Sequence, residues 1–388
     1  MKLCLIKTKV LAVVIICLGF VAGAVVWLTE YSYDTNIDLI SKQSLDTARE
    51  VFNNLERNDS QLLSSTLEAV MENDRIRDAF LTGNREKLLE VTSPIFAGLK
   101  KNYGITHWYF IKAEPDSRCF LRVHDPKKHD DVINRATYKG SVASKDFGIG
   151  KELGKTAFAL RVVHPYKDRA GKLIGYMELG EEIDHFFALM KQQTGSDYGL
   201  LIKKKFLDEK EWASVCEAKN VPNEWAEHQD VLLVNRTTGD KNLISFQGDI
   251  EAVPDEGKVL EQFNKGDHAY VRSIIPLYDA AQRKVGGVFV LNDITAVYAG
   301  MKAVQTKALV TIITLMAVLS VIMVILLNRL VFARLSRVTN VATRVVGGDF
   351  DTQIVPASQD EVGQLESLLE QFRVVFVNTL KAATMRPV

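Results

Sequence analysis

An α+β architecture is predicted for this 388-residue chain: tandem antiparallel-sheet modules on a long N-terminal helix, two membrane-length helices, and a terminal parallel helical bundle. Three observations predict it. Two apolar runs, Val10 to Leu28 and Ala308 to Leu327, are each long enough at about 1.5 Å per residue to cross roughly 30 Å of hydrocarbon. Between them lie two similar strand–turn–strand units. After the second run, apolar residues recur at heptad spacing.

The bounds agree with several domains. A hydrophobic content of 47% suffices for buried cores, and the length prior is about two to three domains. Acidic and basic residues balance to a net charge of zero, so no basic excess points to a nucleic-acid partner. Cys4, Cys17, Cys119 and Cys216 show no C-x-x-C spacing, which indicates neither a zinc cage nor a disulfide framework. Cys119 and Cys216 are expected to be free buried thiols, with a bridge between them as the other reading.

In chain order, residues 1–9 carry Lys2, Lys7 and Lys9, and residues 10–28 form the first membrane helix. Arg329, Arg334 and Arg337 follow the second, at 308–327. The positive-inside rule therefore places both termini in the cytoplasm, the intervening segment outside, and the chain as a two-pass protein of the inner membrane. Trp27, Tyr31 and Tyr33 suit an interfacial aromatic belt. Ala22-Gly23-Ala24 also resembles a signal-peptide processing site, but the apolar run continues through Val25, Val26, Trp27 and Leu28.

From Ile37 to about Lys101 apolar residues recur at three- and four-residue steps, predicting a helical stalk over 31–97. Its parts are a long helix and shorter ones at Leu62 to Phe80 and Arg85 to Leu99, broken at Thr82-Gly83-Asn84. His107 to Gly180 alternates aromatic and β-branched residues between turn signals, which predicts a small antiparallel sheet. Arg161 to Pro165, a turn, and Lys172 to Glu178 are then echoed by Arg272 to Pro276, a turn, and Lys284 to Val290. The spacing differs by one residue. The echo predicts two related modules, at about 98–190 and 196–294, separated by a helix over Phe186 to Thr194 and a turn at Gly195. The polar span Lys203 to Gly266 is read as helix and loop covering the second sheet.

A short helix after Asp293 is expected to run unbroken into the second apolar run. Beyond it, Leu335, Val338, Ala342 and Val345, and then Val362, Leu365, Leu369, Phe372 and Phe376, mark two heptad helices. Neither buries its seam alone, so a parallel homodimer making a four-helix bundle is expected.

This last segment resembles a HAMP linker over 329–381. The carrying residues are Gly348, Phe350 and Ile354 in the connector and Asp360-Glu361-Val362-Gly363-Gln364-Leu365 opening the second helix. Residues 382–388 are a tail. The outer part resembles the double Cache sensor region of bacterial sensor kinases and chemoreceptors. The matching residues are Tyr103 to Phe110, Phe120 to Pro126, Arg135, Arg161, Pro165, Gly175, Glu178 and Gly180. The resemblance implies a PAS-like sheet holding a small ligand on one face, a relay by HAMP, and output by a cytoplasmic histidine kinase or chemoreceptor partner. Lys381 to Val388 are expected to be too short for an output domain.

Candidate ligand contacts are polar residues on otherwise apolar strands. Alternation puts His107 and Tyr109 on one face of their strand, and Arg122 and His124 share a face. With Arg135 they gather donors suited to a carboxylate or similar anion, since arginine offers bidentate geometry. Glu178 is expected to pair with Arg122 or to receive a cationic group of the ligand. Arg161 is a candidate as well, although its echo in Arg272 favours a structural role. Glu178 has Val290 at its echoed place, which favours function.

Three enzyme signatures fail. His129-Asp130 lacks the further metal ligands of a phosphohydrolase, and Asp130 and Asp131 are expected to start a helix. Gly150 to Thr156 misses P-loop spacing by one residue. Gly347 to Phe350 lacks the glutamate of a cyclase signature. The expectation is thus a membrane receptor for a small ligand, without catalysis, cofactor or metal. The alternative is a membrane-anchored solute-binding or scaffold protein that uses the HAMP-like segment only to dimerise.

Overall fold

The computed structural model describes residues 2–154, 158–356 and 359–384, and the chain forms two compact units. Asn36–Tyr298 is one, and residues 1–35 with 299–388 are the other. Helix α1 covers Lys2–Met71 and ends where the Asn73 side chain accepts hydrogen bonds from the backbone N–H groups of Arg75 and Ile76, capping α2 (Asp74–Leu81). Asn84 caps α3 (Arg85–Tyr103) in the same way, and Gly104, at φ 72°, closes it in a conformation costly for any residue with a Cβ. The long helix thus reaches Met71, and the expected separate helix from Leu62 is its last part joined to α2.

The first sheet contains β1 (His107–Lys112) and β2 (Cys119–Arg122). After α4 (Ala136–Ser144) come β3 (Gly148–Leu153), β4 (Phe158–Lys167) and β5 (Leu173–Glu182). All pairs are antiparallel, in the order β2-β1-β5-β4-β3. Helix α5 (Asp184–Thr194) ends at Gly195, at φ 76°. The second module opens with β6 (Asp197–Lys203), α6 (Glu209–Lys219) and β7 (Val231–Arg236). It continues with β8 (Lys258–Lys265), β9 (His268–Tyr278) and β10 (Lys284–Asp293), in the order β7-β6-β10-β9-β8. The two sheets share one topology, as the echo predicts.

Two expectations are corrected. The span Lys203 to Gly266 contains two strands, β7 and β8, besides helix and loop. The edge strand β8 is largely exposed, so a buried-face pattern was never imposed on it. Asp130 and Asp131 start no helix. Asp130 has φ 67° in the loop before α4, and its carboxylate lies 2.6 Å from His129 Nδ1.

One face of each sheet packs on α1. Leu45, Ala48, Phe52, Leu55, Leu63 and Leu67 are buried against residues of both modules, among them Met177, Leu179 and Val288. The helix read as a stalk is therefore part of a shared core, and its three- and four-residue spacing is the stripe that core demands. The opposite face of the first sheet, with Tyr109, Ile111, Val163 and Tyr176, packs under Ile133 and Tyr138. Cys119 and Cys216 are both buried and are not bridged to each other.

In the other unit, α7 (Thr295–Leu327) is unbroken and leads through a π-helical turn, Asn328–Phe332, into α8 (Ala333–Val346). Helix α9 (Glu361–Thr384) follows a connector in which Ile354 is buried and donates its N–H to the Glu370 carboxylate at 2.8 Å. Each of α1 and α7 contains an apolar stretch long enough to cross a membrane.

Candidate functional site

Strand register builds a polar cluster on the α4 side of the first sheet. Tyr109 of β1 lies opposite Glu178 of β5 and Arg122 of β2, and cross-strand partners share a face. One rung away, His107 and Arg161 both lie opposite Gly180. A Cβ on Gly180 would stand 3.3 Å from Arg161 Cγ and 3.5 Å from His107 Cβ. The glycine thus lets both long side chains cross this rung.

Glu178 is fully buried, and its Oε1 accepts from Arg161 Nη1 at 2.5 Å and Arg135 Nη1 at 2.8 Å. The Arg135 backbone immediately precedes α4, so this bond ties helix to sheet. The expected Glu178–Arg122 pair does not form. Arg122 instead donates twice to Asp131, at 2.6 and 2.7 Å, and once to the Lys128 carbonyl. The sequence reading missed Asp131, which is brought there by an irregular loop whose course no periodicity announces.

Around the Tyr109 ring the guanidinium carbons of Arg135, Arg122 and Arg161 stand 4.5, 5.2 and 5.4 Å from the centroid. These are cation–π distances. His107 is stacked near-parallel to the same ring, and His124 meets it edge-on at 4.8 Å. All seven candidates, His107, Tyr109, Arg122, His124, Arg135, Arg161 and Glu178, therefore fall in one cluster. Arg161 sits at its centre, while its echo Arg272 bonds Glu261 and the Leu243 and Asn242 carbonyls.

Three guanidiniums face two carboxylates, so the cluster carries one excess positive charge. That field shows in the histidines. Burial first, then Arg161, pushes His107 down to about 2 and His124 down to about 4, so both are neutral near pH 7. The His124 tautomer follows, because Nδ1 accepts from the Trp108 N–H at 3.2 Å. Arg135 Nη2, Arg161 Nε and Glu178 Oε2 are buried without a hydrogen-bond partner among the described residues. Two unused donors and one unused acceptor suit a small molecule with a carboxylate and a donor group.

Among the described residues the second module has no such cluster. Register places Gly199, Phe289 and Ile274 where the first has Tyr109, Glu178 and Val163. The echoed place of Glu178 is thus Phe289 rather than Val290, because both modules carry the same irregularity, at Leu173 to Gly175 and at Lys284 to Gly286, and the register therefore matches Lys172 with Arg283 rather than with Lys284. Phe289 and Ile274 belong to an apolar core with Ile244 and Phe246. A cavity of about 750 Å³ does open in this module, lined by residues including Lys203, Asp230, Phe246 and Glu251. Its Lys203 and Glu251 neutralise each other, and we place the candidate site at the first-module cluster, where the buried polar atoms lack partners.

Residues 41–298 match the family model described as the double sensory domain of two-component sensor kinases. No curated protein matches the chain. Among solved structures, the periplasmic domain of Vibrio cholerae LuxQ is similar at 9% identity and a TM-score of 0.39, over 65% of this chain and 99% of that one. The ligand-binding domain of the Campylobacter jejuni chemoreceptor Tlp3, in complex with L-valine, is similar at 9% identity and a TM-score of 0.39, over 68% and 95%. The sensor domain of the V. cholerae histidine kinase DctB is similar at 13% identity and a TM-score of 0.33, over 63% and 98%.

Proposed function

The chain belongs to the family of double sensory domains of two-component sensor kinases, and on that premise we propose that it is a two-pass inner-membrane receptor for a small, anionic ligand. The ligand binds outside the membrane, at the Tyr109 cluster of the first module. The observation that carries this reading is the buried Glu178 with its two arginines around Tyr109, in one module only. A polar network of this kind costs desolvation, and the second module shows that the same topology closes with an apolar core instead.

A carboxylate that takes the free Arg135 and Arg161 donors competes with Glu178 and so alters how α4 is held on the sheet. The change passes along the sheets and α7 to α8 and α9, which act as a HAMP-type relay in a homodimer. Small displacements suffice in a two-state helical bundle. Output then comes from a histidine kinase or chemoreceptor partner or from a further domain, and this chain performs no catalysis.

The test uses the unit 36–298 and a panel of amino acids, dicarboxylates and aromatic acids. A ligand that binds only the folded state at 100 times its Kd stabilises it by about 2.7 kcal/mol, which appears as a raised thermal midpoint. One chemical class is expected to give this shift, and Arg161→Lys to abolish it. A silent panel, or a hit indifferent to both Arg161→Lys and Arg122→Ala, would count against the site.

A further inference from the structure

On the face of β5 opposite Glu178, a second cluster of ionisable groups serves no part of the reading above. Asp59 of α1, Glu181 of β5 and His185 in the first turn of α5 each place one ligand-type atom within 4.8 Å of the other two. Asp59 continues the buried stripe of Phe52 and Leu55, while Glu181 follows Met177 and Leu179 on the side facing α1. The three residues therefore meet where helix, strand end and connecting helix converge.

Glu181 is only 2% exposed, and its Oε1 has no hydrogen-bond partner among the described residues. A buried carboxylate with an unused oxygen requires compensation. The tautomer of His185 adds a second requirement. Its Nδ1 lies 3.0 Å from the Glu182 carbonyl oxygen, which can only accept, so Nδ1 carries the hydrogen. The Nε2 lone pair then faces Asp59 Oδ2 at 2.9 Å. Two acceptors at that distance need a cation between them, a proton or a metal ion. Ligand atoms around a tetrahedral zinc, at bonds of roughly 2.0–2.1 Å, stand about 3.3 Å apart, so small side-chain rotations complete the geometry.

We propose that Asp59, Glu181 and His185 bind one divalent transition-metal ion of the zinc class, which clamps α1 to the end of β5. The imidazole nitrogen is a borderline donor that favours such ions over calcium or magnesium, and carboxylate oxygens also ligate zinc. The Nδ1–H bond to the Glu182 carbonyl is the outer contact that commonly orients a metal-binding histidine. His185 is exposed, which provides an entry path and room for solvent to complete the shell. Two carboxyl groups and one imidazole thus share a half-buried site, and an ion among them would compensate the buried Glu181 oxygen. Glu178 is three residues upstream on the same strand, so an occupied site stiffens the support of the Tyr109 cluster. That consequence rests on the sensor reading, while the binding of the metal does not.

The test uses the full chain in detergent, stripped with a chelator and titrated with zinc by calorimetry and with cobalt by visible absorption. One zinc per chain is expected, with a cobalt spectrum showing nitrogen and oxygen ligation. His185→Gln and Glu181→Gln should each weaken zinc at least tenfold, and His129→Gln, at the exposed His129–Asp130 pair, should not. His185→Gln changes an exposed side chain, and circular dichroism checks that it folds. The proposal is overturned if the wild-type chain binds no zinc, which would leave a shared proton as the only cation. It is overturned equally if His185→Gln binds as tightly as wild type, or if binding is lost with His129.

Discussion

Glu178 neutralises two guanidiniums that would otherwise be buried without a counter-charge, and this makes it the most sensitive residue of the cluster. Removing one partner of a buried ion pair costs about 3–5 kcal/mol. Glu178→Gln is therefore expected to lower the unfolding free energy of the 36–298 unit by that order, and urea unfolding would measure it. A loss below about 1 kcal/mol would mean that the arginines find solvent or another partner. The histidines give a pH signature. Folding depresses His124 to about 4 and His107 to about 2 from 6.5, so the unfolded chain binds more protons in that window. Their stabilisation is complete above about pH 6.5 and is lost as pH falls through the folded values, at up to about 1.4 kcal/mol per pH unit per histidine. Glu181, raised to about 8 from 4.5, acts in the opposite sense over its own range. Comparison of wild type with His124→Gln isolates one histidine, and the variant should lose less stability between pH 6.5 and 4. Equal slopes would place His124 in contact with solvent. Of this cluster, strand alternation grouped His107 with Tyr109 and Arg122 with His124, the resemblance and the echo added Arg135, Arg161 and Glu178, and the pairing among them was not legible. Arg122 meets Asp131 through an irregular loop, and Arg161 reaches Glu178 only across the Gly180 rung.

At the scale of elements, the contact between α4 and β3 holds Arg135 over the sheet. Gly148 of β3 lies so close to α4 that a Cβ there would stand 1.9 Å from the Thr137 carbonyl oxygen. Backbone cannot yield as a side-chain tip does. Gly148→Ala is expected to cost about 1–3 kcal/mol or more, in line with overpacked cores. It should also weaken any ligand found by thermal shift, because α4 must move. An unchanged midpoint would show that α4 is free to shift without loss. Strand β5 is central in its sheet and carries different chemistry on its two faces, Glu178 towards α4 and Glu181 towards α1. A two-residue period in the sequence assigns those faces, yet nothing in the pattern says which helix covers which. The second module illustrates the limit of repeat arguments. The echo identified the paired strands, but matching Lys172 to Lys284 by residue type misplaced the equivalence by one residue, and the strand register, with the same irregularity in β5 and β10, puts Phe289 rather than Val290 at the place of Glu178.

At the scale of the whole chain, helix α9 leaves Leu365, Leu368, Phe372, Val375 and Phe376 exposed. Water-exposed apolar stripes at heptad spacing call for a partner helix, and we expect a second copy of this chain. Single cysteines at Leu365 or Leu369 should crosslink in native membranes under mild oxidation, with Leu365 the stronger. Failure at both positions would exclude a parallel bundle. The sequence by itself determined the two apolar runs, the tandem of strand–turn–strand units and the heptad helices. Each of these is written in a local period, set by the hydrophobic effect acting on a helix or strand of known repeat. Only the tertiary structure decided that α1 is core to both modules, that Glu178 pairs with Arg135 and Arg161, and that Asp59 meets Glu181 and His185. Those contacts join residues tens to more than a hundred positions apart. Their partners are chosen by register, loop course and close glycine approach, none of which leaves a periodic trace in the chain.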